Sequence, residues 1–449
     1  MYCRSLITFL LSLSFASALV ALVYGTPVVK VDDNMVRMPI AKLLNFTTGS
    51  TSKILVRDQA RFRNFRLRTN ASSPPGGNSP YRLDETEVGT IVATDQVVDY
   101  VLTDALATDM LLVDTGSANT WVGASQPYAP AESNSSVATG QYISVHYGSG
   151  RFSGMLATCY NDTVSVGGTL NVTNQGIGAA NTSSGFQGVD GILGQVSVGQ
   201  CIHGQISHSL LRCRIGPVNL TIGTLSPDAA ASVSTITDNL FQQGVISSNQ
   251  VAITFVPSHT IGSINGELAF GGTDSDKYIG NITYAPIATS PAARSFFSTD
   301  QSITYGSQSL PIMNTTSGIV DTGTTLTLIP SNAFAAYQNA TGAVMDSTTN
   351  MLSIPATEYD NLQSLFFTID ETTFEFTPNA QIWPRALNTA IGGTAENVYL
   401  IIGDAGEFTS EGINFVNGMT FLERFYAVFY SPNSTVGLAN TLYTNSIIN

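Results

Sequence analysis

Charged side chains and histidines are scarce in this sequence of 449 residues. Only 11% of the residues are charged, and 18 Lys and Arg residues stand against 32 Asp and Glu residues, for a net charge of −14. A chain this acidic repels phosphate groups, which argues against a nucleic-acid partner. Four histidines in the whole chain disfavour a Ser-His-Asp triad or a zinc centre, and we expect no metal and no other cofactor.

Cysteine is equally rare. The four residues are Cys3, Cys159, Cys201 and Cys213, and Cys3 lies in a segment that we expect to be removed. The remaining cysteines are odd in number and cannot all pair within one chain. We therefore expect a hydrophobic core, rather than a disulfide framework, to stabilise the fold, and a chain of this length can bury one.

The N-terminus has the pattern of a secretory signal. Arg4 precedes an apolar run over residues 6–23, and small residues precede a plausible cleavage point before Thr26. Residues 1–25 are therefore predicted to be a signal peptide, with a membrane anchor as the alternative. No other run of the sequence is long and apolar enough to span a bilayer, so we expect a secreted, extracellular monomer without a membrane partner.

Asn-x-Ser/Thr sequons agree with secretion, although many would arise by chance in a chain so rich in Asn and Thr. They begin at Asn45, Asn70, Asn134, Asn161, Asn171, Asn181, Asn219, Asn281, Asn314, Asn339 and Asn433.

Charge divides the chain near residue 87. Residues 26–87 carry ten basic and six acidic side chains, whereas residues 88–449 have a net charge of −19. A cationic segment before an acidic body predicts a propeptide that acts as an intramolecular inhibitor and loosens as acid protonates the body's carboxylates. The alternative is an unstructured basic linker.

The body alternates short apolar runs with clusters of Gly, Asn, Asp, Ser and Thr, which predicts a mainly β fold. The clearest predicted strands are residues 142–145, 163–166, 251–255 and 425–429. Helical patterning is scarce, and its best candidates are residues 333–341 and 356–365.

One short pattern occurs twice. Asp114-Thr-Gly-Ser and Asp321-Thr-Gly-Thr each follow an apolar run, one in each half of the chain. A single Asp-Thr-Gly is an ordinary turn sequence, but two copies in equivalent contexts predict two similar lobes that face each other, over residues 88–280 and 281–449.

Such a pair of aspartates has a definite chemistry. Two carboxylates that face each other across a cleft share a proton, because their mutual repulsion separates their apparent pKa values. One carboxylate then serves as a general base and the other as a general acid, and a water between them can attack a peptide carbonyl.

These motifs resemble those of the pepsin family of aspartic proteases, and most of all its fungal polyporopepsin-type members. The resemblance extends over most of residues 88–449, including residues 114–121 and 321–327, a flap hairpin at residues 143–150 and a supporting segment at residues 189–194. It implies the bilobal pepsin-like fold, with a central cleft between two β-barrel-like lobes, and an endopeptidase that acts on proteins and peptides in acid.

The resemblance also implies residue roles. Asp114 and Asp321 would hold the attacking water. The residues that would support them by hydrogen bonding and by linking the two loops are Thr115, Gly116, Ser117, Thr322, Gly323 and Thr324.

Substrate contacts follow from the flap. Tyr147 would close over the substrate with its hydroxyl held by Trp121, while Gly148, Ser149 and Thr325 would contact substrate backbone. Ordinary core packing is the alternative for Trp121 and Tyr147. Because Ser149 is not a carboxylate, we expect bulky apolar residues, rather than a basic one, on both sides of the scissile bond.

Residues 195–214 interrupt the family pattern. The block contains Cys201, Cys213 and two of the four histidines. It is interpreted first as a retained intron in the gene model, then as a surface loop closed by a Cys201–Cys213 disulfide, and last as a metal site, whose spacing matches no common zinc pattern.

The segment before Asp114 also departs from the pattern. Residues 100–112 contain neither Gly nor Pro where a hairpin turn is expected, and the hairpin is a few residues short. These two irregularities leave a second function open, a catalytically impaired relative that binds peptides or glycans.

Overall fold

The computed structural model describes residues 30–32, 35–46, 54–70, 96–103, 110–146, 154–166, 170–184, 186, 189–194, 225–226, 233–260, 264–409 and 412–449. Three predictions lie outside these ranges: the signal peptide, the flap residues Tyr147, Gly148 and Ser149, and the block at residues 195–214. None of the helices in the described residues is long and apolar enough to cross a membrane.

Strands dominate the described residues. They are β1 (Lys30–Asp32), β2 (Met35–Phe46), β3 (Gln96–Thr103), β4 (Met110–Asp114), β5 (Trp121–Val122), β6 (Val137–His146), β7 (Gly154–Val166), β8 (Leu170–Ser184), β9 (Gly191–Gly194), β10 (Leu225–Ser226), β11 (Gln250–Thr254), β12 (Ile264–Phe270), β13 (Ile279–Pro286), β14 (Ser298–Tyr305), β15 (Leu310–Val320), β16 (Thr327–Ile329), β17 (Val344–Met345), β18 (Leu352–Pro355), β19 (Leu365–Ile369), β20 (Thr372–Phe376), β21 (Asn397–Leu400), β22 (Ile402–Asp404), β23 (Val416–Asn417), β24 (Phe425–Tyr430) and β25 (Thr435–Asn440). The mainly β prediction is confirmed.

Helices are few among the same residues. The α-helices are α1 (Ile54–Asn70), α2 (Ile236–Gln242), α3 (Ser331–Thr341) and α4 (Met419–Leu422). Short 3₁₀ turns occur at Pro130–Glu132, Ser275–Lys277, Ala293–Ser295, Ala356–Asn361 and Arg385–Ile391.

All four predicted strands and the first predicted helix are confirmed. The helix predicted at residues 356–365 is wrong, because Ala356–Asn361 is a 3₁₀ turn and Leu365 begins β19. Leu362 and Leu365 are buried at a helix-like spacing, but from Leu365 onward burial alternates as in a strand. The aromatic and β-branched composition of Leu365–Ile369 favours that strand.

The strands form three sheets in the described residues. The largest has the order β10-β6-β7-β8-β5-β9-β4-β3-β2-β12-β11-β24-β25-β13, with β1 paired to β2. A second has the order β20-β19-β14-β15-β23-β16-β22, and a third is β17-β18-β21. The largest sheet joins the last strands of the chain to its first ones.

The cationic leader, as we call residues 26–87, contributes two strands directly to this sheet. Strand β2 lies between β3 and β12 and is antiparallel to both. Its alternate residues Val36, Met38 and Ile40 are fully buried, which explains why this segment forms a strand. The described parts of the leader are therefore two strands and a helix, rather than an unstructured linker.

The strands that carry the two aspartates are built alike. Strand β4 pairs in parallel with β9, with Asp114 opposite Gly194. In the other copy β15 pairs in parallel with β23, and the Asp321 N–H donates to the Asn417 carbonyl at 3.1 Å. Strands β3 and β4 also pair, with Thr103 opposite Met110, so the irregular hairpin before Asp114 has regular antiparallel strands.

Candidate active site

Asp114 ends β4 and is held in place by its own turn. Its side chain is completely buried. The Gly116 N–H donates to Oδ1 at 2.9 Å, and the Ser117 hydroxyl donates to Oδ2 at 2.8 Å. Both donors come from the three residues that follow the aspartate, so the local sequence itself orients the carboxylate.

Asp321 follows β15 and repeats this arrangement. It is also completely buried. The Gly323 N–H donates to Oδ1 at 3.2 Å, and the Thr324 hydroxyl donates to Oδ2 at 2.5 Å. The two carboxylates are therefore held by equivalent hydrogen bonds from equivalent positions.

Thr115 and Thr322 link the two turns. The Thr115 N–H donates to Thr322 Oγ1 at 2.9 Å, and the Thr322 N–H donates to Thr115 Oγ1 at 3.0 Å. Each hydroxyl in turn donates to a carbonyl of the opposite strand, Thr115 to Val320 at 3.3 Å and Thr322 to Val113 at 2.8 Å. This reciprocal set fixes the distance between the aspartates.

Each turn requires a glycine because the carboxylate of the opposite aspartate lies very close to its Cα. A Cβ at Gly116 would lie 2.5 Å from Asp321 Oδ1, and a Cβ at Gly323 would lie 2.8 Å from Asp114 Oδ1. Any larger residue would push the opposite carboxylate away. The glycine of each Asp-Thr-Gly therefore makes room for the aspartate of the other.

A cation from the leader occupies the space between the carboxylates. Arg61 lies on α1 and is nearly inaccessible to solvent. Its Nη2 lies 2.5 Å from Asp114 Oδ1 and 3.1 Å from Asp321 Oδ1, and its Nε lies 2.9 Å from Asp321 Oδ2. One guanidinium thus bridges both aspartates.

The pKa values of the two aspartates move in opposite directions. Burial raises the pKa of Asp114; Arg61 opposes the rise and the charge of Asp321 adds to it. Burial also acts to raise the pKa of Asp321, but Arg61 and the Thr324 hydroxyl outweigh it, so this pKa is lowered. The Arg61 pKa is raised, since the two carboxylates overcome the cost of burying its charge.

Two neighbours of Arg61 on α1 contact the loop after Asp321. Asp58 is fully buried, and its Oδ2 accepts the Leu326 N–H at 2.8 Å. Arg57 donates to Thr325 Oγ1 at 2.6 Å. Burial raises the pKa of Asp58, although Arg57 and the backbone donors oppose the rise.

Two further residues predicted for the site, Thr325 and Trp121, lie in the described part of the chain. Thr325 lies at the loop that α1 contacts. Trp121 is buried in β5, and its ring meets Phe186 edge-on at 4.7 Å between centroids. Its predicted contact with Tyr147 lies outside the described residues.

Asp58 and Arg57 were not singled out in the sequence as cleft residues. The spacing of Arg57 and Arg61 puts these two on one face of a helix, but it does not mark that face as the one that enters the cleft, and no local signal marks Asp58.

A family model for eukaryotic aspartyl proteases matches residues 107–207 and 218–441. The chain belongs to this family. It is 51% identical to polyporopepsin from Irpex lacteus over 365 residues, which are 80% of this chain and 99% of the relative. Pepsin A from Canis lupus familiaris is 27% identical, over 73% of this chain and 76% of its own length.

Comparison with a solved structure supports the same family assignment. The crystal structure of the aspartic proteinase from Irpex lacteus matches with a TM-score of 0.69 and 50% identity, over 78% of this chain and 96% of that one. The bilobal pepsin-like fold is thereby confirmed, and this aspartyl protease is an aspartic endopeptidase.

Replacing Thr322 by Val tests the link between the turns of this aspartyl protease. The change removes the hydroxyl that accepts the Thr115 N–H and donates to the Val113 carbonyl. Because two buried backbone groups lose their partner, we expect unfolding to become easier by about 2–4 kcal/mol. Urea denaturation measures the difference, and the exposed Thr315→Val is the matched control, expected to change little. Equal stability of the two variants would contradict the link.

Proposed function

We propose that Asp114 and Asp321 activate one water that attacks the peptide carbonyl. The observation that carries this proposal is the position of Arg61 Nη2, within 3.1 Å of the Oδ1 atom of each aspartate. A water at that point, once the leader has left, would contact both carboxylates at once.

The reaction needs one proton on the pair. The ionised carboxylate accepts a proton from the water as its oxygen bonds to the carbonyl carbon, while the protonated carboxyl donates to the carbonyl oxygen. Collapse of the resulting tetrahedral species breaks the C–N bond, and the amine leaves with a proton from the pair. The Ser117 and Thr324 hydroxyls hold the outer Oδ2 atoms in place throughout, and the glycine N–H groups of the two turns hold the Oδ1 atoms.

We propose that residues 26–87 are the propeptide and that α1 inhibits the enzyme by occupying the cleft. Arg61 fills the water position, Asp58 and Arg57 engage the loop at Thr325 and Leu326, and Phe65 packs edge-on against Phe296 at 5.1 Å. The helix therefore blocks both the reacting atoms and the adjoining backbone.

Release of this helix depends on pH in two opposite senses. The lowered pKa of Asp321 means that its ion pair with Arg61 is complete above the ordinary aspartate pKa of 3.8 and is lost as pH falls below it. The raised pKa of Asp58 acts the other way, because the docked helix then favours the protonated form. Acid should therefore release the helix only once the carboxylates that pair with Arg61 are protonated, and protonation of Asp58 alone should not release it.

A second anchor holds the leader strand. Lys42 Nζ on β2 lies 2.6 Å from Glu423 Oε1, and both side chains are nearly inaccessible. Replacing Lys42 by Ala leaves the Glu423 charge buried without this cation, and we expect the full-length protein to lose about 3–5 kcal/mol of stability.

Calorimetry before and after removal of the leader tests the Lys42 prediction. The loss should appear only in the full-length protein, because the mature enzymes of parent and variant are identical. A difference that persists after processing, or no difference at all, would contradict the role of this pair.

The proposal also covers secretion, the oligomeric state, the bounds of the lobes and the cleavage preference. We propose that residues 1–25 direct secretion, that the enzyme acts as a monomer over two lobes at residues 88–280 and 281–449, and that it cleaves between bulky apolar residues. Support for secretion comes from the exposed glycan-acceptor residues Asn134, Asn281 and Asn314.

The alternative function, that of an impaired, non-catalytic relative, is not favoured, because the relatives that match this chain are named polyporopepsin and pepsin A.

Digestion of casein or haemoglobin in acid tests the proposed function. The processed enzyme should cleave these proteins, and pepstatin, which occupies aspartic protease clefts, should abolish cleavage. A folded, processed protein without activity, or with activity that pepstatin leaves intact, would contradict it.

A further inference from the structure

A cavity of about 480 Å³ lies beside the turn between β24 and β25, outside the aspartate site. It is lined by Ser248, Gln250, Tyr284, Tyr430, Asn433 and Thr435. Two tyrosines surrounded by amide and hydroxyl groups form a surface that is both apolar and rich in hydrogen-bonding groups. That combination suits a sugar ring, which has apolar C–H faces and a polar edge, and the volume lies within the range of about 300–1,000 Å³ for small-ligand pockets.

Strand pairing places these side chains on one face of the sheet. Gln250 lies opposite Tyr430, and Tyr430 lies opposite Thr435. Tyr284 lies opposite Gly437, two residues beyond Thr435. Because directly opposite residues point to the same face, the set forms one continuous surface.

Gly437 makes room for the Tyr284 ring. A Cβ at this glycine would lie 2.9 Å from Tyr284 Cε1, so the ring lies across the gap that the glycine leaves. The Tyr284 and Tyr430 rings pack at 6.4 Å between centroids with an interplanar angle of 64°. Tyr284 nevertheless remains 41% exposed, and it therefore offers aromatic surface to an occupant of the cavity.

The turn brings a glycan acceptor to this surface. The Ser434 N–H donates to the Ser431 carbonyl at 3.1 Å and closes a tight turn with Asn433 exposed near its tip. Asn433 begins the sequon Asn-Ser-Thr, and Tyr430 precedes it by three residues. The acceptor amide and Tyr430 thus belong to the same short hairpin, and Tyr284 lies beside them on β13.

We propose that Asn433 carries an N-linked glycan whose first N-acetylglucosamine packs in this cavity against Tyr284 and Tyr430. The inference rests on the secretory route proposed above. The apolar face of the sugar meets the electron-rich face of a tyrosine ring, while its acetamido and hydroxyl groups reach Gln250 and Ser248. The glycan therefore acts as a stabilising part of the hairpin.

Attachment needs a lipid-diphosphate-linked oligosaccharide as donor. The Asn433 side-chain nitrogen bonds to the anomeric carbon of the donor, the lipid diphosphate leaves with the bonding electron pair, and the amide gives up one proton. The secretory pathway supplies this class of donor, and no residue of the aspartate site takes part.

Glycopeptide mass spectrometry on the full chain, secreted from a yeast host, tests occupancy. Asn433 should be modified. Asn314, an exposed acceptor that does not line the cavity, is the matched site. An unmodified Asn433 beside a modified Asn314 would overturn this inference and leave the secretory proposal intact, whereas no modification at any sequon would overturn both.

Thermal unfolding tests the packing. Asn433→Gln should lower Tm by about 2–4 °C, and Asn314→Gln should leave it unchanged. Tyr284→Ser should lower Tm in the parent but much less in the Asn433→Gln background, because the two changes remove one interaction. Additive shifts would overturn the packing. If Asn433 is unmodified and free N-acetylglucosamine raises Tm, the cavity binds a free saccharide and the attachment is overturned.

Discussion

Asp321→Asn should reduce peptide hydrolysis by the processed enzyme by about 10²–10⁴-fold. An amide is nearly the same size as the carboxylate. Its oxygen can still accept the Gly323 N–H, and the Thr324 hydroxyl can rotate to accept from its NH2 group, so the turn should keep its shape. The variant cannot hold the proton that the pair must exchange with water and substrate. The loss should therefore fall on kcat, with little change in KM.

The matched control is Asp360→Asn, an exposed carboxylate outside the cleft, which should keep full activity. Because the variant cannot process itself, the leader must be removed from all three proteins by an added protease. Thermal unfolding checks that the fold is kept. A folded Asp321→Asn enzyme with activity near that of the parent would contradict the role of this residue.

Arg61→Ala should activate the unprocessed chain. The change leaves two buried carboxylates without the cation that bridges them. Removing one partner of a buried ion pair costs about 3–5 kcal/mol, which corresponds to a factor of roughly 10² to 4 × 10³ in the docking of α1. Cleavage of a small fluorogenic peptide by the full-length protein, measured before any processing, should rise accordingly.

Arg63→Ala is the matched control on the same helix. Arg63 is exposed, and its Nε donates to the Gln59 carbonyl of its own helix at 3.3 Å. This variant should stay as inactive as the parent before processing. If Arg61→Ala were equally inactive, with the amides of α1 still protected from hydrogen exchange, the bridging cation would not be what holds the leader.

The sequence predicts the two aspartate turns and several strands well, because the residues that determine them are neighbours in the sequence. Each aspartate is oriented by donors two and three residues further along, so Asp-Thr-Gly-Ser and Asp-Thr-Gly-Thr contain most of their own geometry. Strands β7 and β24 are likewise apparent from short runs of apolar and β-branched residues.

Other features depend on contacts distant in sequence. Charge predicts a cationic leader, but Arg61 reaches Asp321 across 260 positions, and nothing local distinguishes it from Arg63. Nothing in the sequence around Asp58 shows that its carboxylate accepts the N–H of Leu326, which lies 268 positions away. The helix predicted at residues 356–365 fails at its end for the same reason, since Leu365 pairs with Tyr305 of β14 and begins a strand there.

The most direct test of the central claim is a double-mutant cycle on the processed enzyme. If Asp114 and Asp321 act as one unit on one water, Asp114→Asn and Asp321→Asn should each abolish hydrolysis to a similar degree, and the double variant should lose little more than either alone. Losses that multiply in the double variant, or an Asp114→Asn enzyme that retains substantial activity, would show that the two carboxylates do not share the reaction.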